Sequence, residues 1–114
     1  MARPTDQNSF RRGIMPLVIL QLLQKEDMYG YQLVMETHRI TGGRIRTQEG
    51  SLYPVLYKLQ EQGLISDRKV LVSKRMSRIY YHLEPSGAEK LMELHREFDD
   101  IATGIRMLKE AEHL

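Results

Sequence analysis

The apolar positions fall into four stretches with helical spacing and one stretch with strand-like composition. Met15, Val18, Ile19, Leu22 and Leu23 recur on one helical face. They predict a first helix from near Arg12 to about Gln24, with Pro16 tolerated within its first turn or so. Lys25-Glu-Asp27 predicts a turn, and a second helix follows over Tyr29–Ile40, with Leu33, Val34 and Ile40 facing inward and Gly42-Gly43 as its stop. Arg44-Ile-Arg46 then runs extended towards a third helix.

That third helix has two unlike faces. Leu52, Val55, Leu56 and Leu59 share a stripe about 100° wide, whereas Gly50, Pro54, Tyr57 and Glu61 lie opposite, with Ser51, Tyr53 and Lys58 on the flanks. One face packs, so the other is free. Pro54 requires the first regular turn to start between Thr47 and Ser51, either of which can act as N-cap, and Gly63 closes the helix. Beyond it, Leu64-Ile65, Val70-Leu-Val72 and Ile79-Tyr-Tyr-His-Leu83 have strand composition. Ser73-Lys-Arg-Met-Ser77, with Arg78 behind it, predicts the charged tip of a hairpin.

The last stretch has the strictest period. Pro85 suits the first helical position, and Leu91, Leu94, Phe98, Ile101, Ile105 and Leu108 step as the a and d positions of a heptad. A helix over 85–112 would span roughly 42 Å, longer than a small helical body, so much of the stripe overhangs. A second copy of the same helix is the plainest cover for it, with these six residues as the dimerisation seam. Gly104 weakens the helix near its end by about 1 kcal/mol.

Taken together the order predicts a mainly α protein with a small β-hairpin wing: a winged helix-turn-helix over residues 1–83, then a long C-terminal dimerisation helix over 84–114. At 114 residues the chain is expected to be one domain with a modest core. Residues 1–9, polar and containing Pro4, read as a loose arm. With no cysteine there is no disulfide framework, thiolate metal site or Cys nucleophile. The longest apolar run, Ile14–Leu23, is far short of the roughly 20 residues of a membrane span, and residues 1–12 lack the apolar core of a signal peptide. A cytoplasmic protein with no membrane partner is expected. Charge is unevenly placed: residues 1–83 carry 13 Lys/Arg against 7 Asp/Glu, and residues 84–114 carry 4 against 8. A basic front and an acidic tail suit a first part that meets a polyanion.

The motifs Tyr29-Gly30-Tyr31, Gly50-Ser-Leu-Tyr-Pro54, Leu59–Glu61 with Gly63-Leu-Ile65, and Tyr80-Tyr81-His-Leu83 with Gly87 occur in one chain. In these, over about residues 12–112, the sequence resembles the PadR family of bacterial transcriptional regulators, in its short subgroup with a single C-terminal helix. It departs at Glu84, where the family usually has Thr as the cap of the last helix. The resemblance implies a dimeric repressor on a palindromic operator near its own gene or a detoxification gene, released by a small aromatic or hydrophobic effector.

Double-stranded DNA is therefore the leading partner. In a helix-turn-helix the N-terminal part of the recognition helix enters the major groove, and here it offers Gln48, Ser51, Tyr53, Tyr57 and Lys58. The wing offers Lys74, Arg75 and Arg78 to phosphate or the minor groove, with Arg11, Arg12, Arg44 and Arg46 as weaker candidates. With no arginine on the outward face of the helix, bidentate guanine readout is not expected from it, and Gln48, apolar contacts and DNA shape carry the preference. A ligand space lined by Met15, Met92, Leu94, Phe98 and Ile101 is one expectation, with seven methionines as adaptable walls; Phe98 and its neighbours as plain dimer seam is the other. On both, Phe98 is buried.

Enzyme chemistry is not expected. His38, His82, His95 and His113 are dispersed, and His95 with Asp99 makes only two ligands of a metal site. No nucleophile elbow, glycine-rich phosphate loop or His-Glu-x-x-His spacing occurs, so neither metal nor cofactor is implied. Two other readings stay open, a winged-helix protein-docking module and a small-molecule-binding dimer whose DNA role is secondary.

Overall fold

The structure is a computed structural model and describes residues 11–112. The arm expected over residues 1–9 and His113 lie outside the described residues. In chain order the elements are α1 (Met15–Lys25), β1 (Met28–Tyr29), α2 (Gly30–Ile40), α3 (Glu49–Glu61), β2 (Ile65–Ser73), β3 (Met76–Leu83) and α4 (Pro85–Glu110). No described helix is long and apolar enough to cross a membrane.

Local chemistry sets most boundaries. Pro16 sits in the first turn of α1, where its missing N–H costs nothing. At the end of α2, Gly42 and Gly43 take φ of 60° and 79°, which lets the Gly43 N–H reach the His38 carbonyl at 2.8 Å. Thr37 is buried within that helix because its hydroxyl donates to the Leu33 carbonyl at 2.7 Å. Gly63, at φ 75°, ends α3 and allows the Leu64 N–H to close on the Leu59 carbonyl at 3.0 Å.

The sheet has strand order β1-β3-β2, all antiparallel. Its first strand is only two residues, Met28 paired with Tyr81 and Tyr29 with Tyr80, where the sequence suggested nothing beyond a turn and a helix start. β2 runs unbroken from Ile65 through the polar Ser66–Lys69 to Ser73, with Ile65 opposite Leu83 and Val70 opposite Arg78. The hairpin tip is tighter than expected: Met76 is already in strand, and Lys74-Arg75 alone make the turn. Such a loop normally asks for left-handed residues, yet glycines alone take positive φ among the described residues. An irregularity between Leu71 and Ser73 accompanies it, consistent with a bulge absorbing the twist.

One core joins all layers. Ile19, Leu20, Met28, Leu33, Leu52, Leu56 and Leu91 are fully buried, each of the aliphatic side chains contributing about 2 kcal/mol on burial. Leu20 belongs to this core although the helical stripe read from the sequence omitted it, and Ile40, expected inward, is exposed because it is the last residue of α2. Val18, Val34 and Val55 are half-buried against the core.

α4 is docked at its start and bare beyond. The Glu84 N–H donates to the Leu64 carbonyl at 3.0 Å, and the Ser86 hydroxyl to the Gly63 carbonyl at 2.8 Å. Gly87 lies so close that an added Cβ would stand 2.1 Å from the Leu64 oxygen. Leu91 is buried and Leu94 packs on the core, but Phe98, Ile101, Ile105 and Leu108 are 48%, 58%, 60% and 57% exposed in the single protomer. The helix ends at Glu110 rather than at 112.

Candidate nucleic-acid interface

α3 begins after Gln48, whose extended backbone makes it the N-cap in place of the expected Thr47 or Ser51, with no side-chain capping bond. That leaves the Gln48 and Ser51 side chains exposed at the start of the helix. Pro54, inside the helix, and Tyr57, 59% exposed, continue the outward face. Tyr53 differs from its neighbours. Its hydroxyl donates to Glu49 at 3.3 Å, its ring stacks on Tyr57 with centroids 6.0 Å apart, and its tip rests where a Cβ on Gly30 would be, 2.6 Å away. Gly30 is thus small to admit it. Burial, then the Glu49 carboxylate, raises the Tyr53 phenol above its ordinary value, so it stays a neutral hydroxyl.

The wing is tied to this helix at its root. Gln60 donates to Asp67 on β2 at 2.7 Å. Tyr81, 3% exposed, has its phenol pushed up to about 12 by burial and then by Tyr53, Tyr57 and Asp67 nearby. At the other end Lys74 and Arg75 are exposed on the turn, as the sequence predicted. Arg78 lies behind the tip, as the sequence placed it, and its guanidinium stands 4.3 Å over the Tyr29 ring, on the sheet face where Tyr29 also meets Tyr80 edge-on.

Lys58 lies apart from Gln48 and Ser51. It lines a cleft of about 180 Å³ between α3 and α4, together with Val55, Leu59, Lys90 and Leu94. The five residues suggested as a ligand space do not converge within one protomer. Leu94 faces this cleft, Met15 borders a different one beside Gln48, and Met92, Phe98 and Ile101 are exposed along α4. His95 meets Gln21 on α1 at 2.6 Å rather than Asp99, and no group of three metal-binding side chains occurs among the described residues.

A charged hub that the sequence did not suggest fixes the wing to the rest. Asp27, in the loop before β1, accepts from Arg68 on β2 and sits 2.8 Å from His82 Nδ1 on β3. Burial alone would raise its carboxyl pKa, but the hydrogen bonds and charges of His82 and Arg68 outweigh it and hold the pKa below the ordinary carboxylate value. A lowered folded-state pKa stabilises the fold above the unfolded value, near 4, and that contribution is lost as pH falls through the folded one. Asp27→Asn is therefore expected to melt below the parent at pH 7, with the gap closing as pH is taken from about 5 to 3. A gap constant over that range in thermal melts would show that the charge of Asp27 is not what stabilises the hub.

A two-layer body of three helices and a small antiparallel sheet, with an exposed third helix beside a hairpin wing, is a winged helix-turn-helix. Residues 19–93 match the Transcriptional regulator PadR-like family. The chain belongs to that family, one of transcriptional regulators and not of enzymes. It is 33% identical over 100 residues to the transcriptional regulator YqjI of Escherichia coli, a match covering 88% of this chain and 46% of that protein. The chain thus spans about half the length of YqjI. It is 30% identical to the transcriptional regulator Rv3488 of Mycobacterium tuberculosis, covering 82% of this chain and 83% of that one. The crystal structure of a PadR family regulator from Eggerthella lenta superposes with a TM-score of 0.81 at 27% identity, covering 91% of this chain and 88% of that chain. Bacillus subtilis PadR in complex with operator DNA gives 0.67 at 26% identity, covering 71% and 47%.

Proposed function

We propose that the chain is a sequence-specific, ligand-responsive transcriptional repressor acting as a homodimer on a palindromic operator. In this reading residues 1–83 are the DNA-reading body, residues 84–114 the dimerisation helix, and the site of action is the cytoplasm. One observation carries it: α3 presents an exposed face of Gln48, Ser51 and Tyr57, linked by Gln60 and Asp67 to a wing tipped with Lys74 and Arg75. That is the arrangement that places a helix in the major groove and a cationic hairpin on the flanking backbone. The similarity to Bacillus subtilis PadR, which was crystallised with operator DNA, supports the same partner here. The effector site in this reading needs the second copy, because Met92, Phe98 and Ile101 would enclose a ligand only across the seam.

Selection of preferred duplexes from a random pool by the purified protein tests the reading, since two half-sites about one helical turn apart, roughly 34 Å, are expected from a symmetric dimer. Lys74→Ala with Arg75→Ala is expected to weaken binding and to flatten the slope of log affinity against log salt by about 1.8, the value for two phosphate contacts. An unchanged slope would remove the wing from the interface. Duplex binding indifferent to salt would turn the reading towards a protein-docking module.

A further inference from the structure

Three arginines from two segments distant in sequence converge beside the start of α3. Arg11, Arg12 and Arg46 line a single cleft of about 240 Å³, whose remaining walls include Thr47, Gln48 and Ser51. Among the described residues no carboxylate lines it, and none of the three arginines forms an ion pair with another described residue. Three like charges on one small concavity repel each other, and a bound anion is what relieves that repulsion. Arg46 is held in place, its Nε donating to the Gly43 carbonyl at 3.0 Å, which leaves its terminal amino groups for the cleft. The nearest acid in sequence, Glu49, accepts from Tyr53 instead. Arg44, between these residues in the chain, takes no part: its guanidinium goes to the Thr41 carbonyl at 3.3 Å and it does not line the cleft.

We propose that this cleft is a clamp for a phosphodiester of the DNA backbone, held by Arg11, Arg12 and Arg46 next to the base-reading end of α3. The proposal rests on the DNA reading above and adds a second set of backbone contacts, made by residues outside the wing. Guanidinium groups suit the task because their planar forks donate in pairs to phosphate oxygens. The hydroxyls of Thr47 and Ser51 and the Gln48 amide add neutral donors of the kind that fix register on a duplex. The clamp thereby sets how deep and at what angle Gln48 and Ser51 enter the groove. It carries no sequence preference of its own.

The test is the salt dependence of duplex binding by the full chain, with the parent, an Arg11→Gln/Arg12→Gln/Arg46→Gln variant and the wing double variant measured side by side. All three arginines are exposed or cleft-lining rather than core, so the variant is expected to melt as the parent does. Loss of the one clamped phosphate lowers the slope by about 0.9 and weakens binding to preferred and random duplexes by the same factor. Arg46→Lys, which keeps the charge, is expected to retain the slope. A triple variant with the parental slope overturns the proposal, and so does one that weakens only the preferred duplex, because then these side chains read bases. Inorganic phosphate or pyrophosphate that displaces no duplex beyond its ionic-strength effect favours the backbone as the occupant. Stoichiometric binding of either ion that blocks duplex would overturn it in favour of a phosphorylated small molecule. If the parent binds no duplex at all, the DNA reading itself fails, a result distinct from any of these.

Discussion

Replacing Gly87 by alanine is expected to lower the melting temperature by about 10–20 °C, the largest effect of any one-carbon change in the described body. The new Cβ would lie 2.1 Å from the Leu64 oxygen and 2.6 Å from Leu83 Cδ1. A flexible side-chain end can move aside, but the Leu64 carbonyl cannot do so freely: it accepts the Glu84 N–H at 3.0 Å and directly follows Gly63, whose carbonyl holds Ser86. Relief therefore means lifting the start of α4 from the corner between α3 and β2, with partial loss of the packing of Leu91. Overpacking against backbone of this kind costs about 3 kcal/mol. Gly50→Ala is the matched control, with nothing within 4 Å of its Cβ and a helical backbone, and it is expected to stabilise the DNA-free protein by up to about 1 kcal/mol. Thermal melts of the two variants check both. A Gly87→Ala protein melting within about 3 °C of the parent would show that the corner yields easily.

Phe98→Glu combined with Ile101→Glu is expected to convert the proposed dimer into a folded single copy and to weaken binding to a two-half-site duplex by about 100-fold or more. The two side chains are 48% and 58% exposed in the protomer and sit mid-stripe, so charge there costs the body nothing but puts like charges across the seam. Circular dichroism should show the helices retained. Light scattering at micromolar concentration reports the mass, and binding to a duplex with only one half-site should change far less than binding to the full site. A double variant that remains dimeric would place the contact between copies elsewhere.

The helices were legible because their signals are local. Pro16, Gly42-Gly43, Gly63 and Pro85 punctuate the chain by backbone geometry alone, and the stripe of Leu52, Leu56 and Leu59 repeats at the helical period. What escaped depends on residues distant in sequence. β1 is two residues whose strand character comes wholly from Tyr80 and Tyr81, about fifty positions away. Ser66–Lys69 look like loop and are strand because β3 pairs with them. Of the candidate interface, Gln48, Ser51, Tyr57, Lys58, Lys74 and Arg75 are exposed as the faces suggested, Lys58 also bordering the cleft next to α4, whereas Tyr53 is half-buried and Arg78 is stacked on Tyr29. The Asp27 hub and the three-arginine cleft each draw on segments tens of residues apart, so no window of sequence contains either.

The bare half of α4 also governs how the molecule diffuses. Its extents are 65 × 37 × 24 Å and its radius of gyration is 16.5 Å, where a compact chain of this length would have about 13 Å. A body trailing a rod meets more drag than a sphere of equal mass, so even a lone protomer would leave a sizing column early, in the volume where a rounder protein of greater mass is collected.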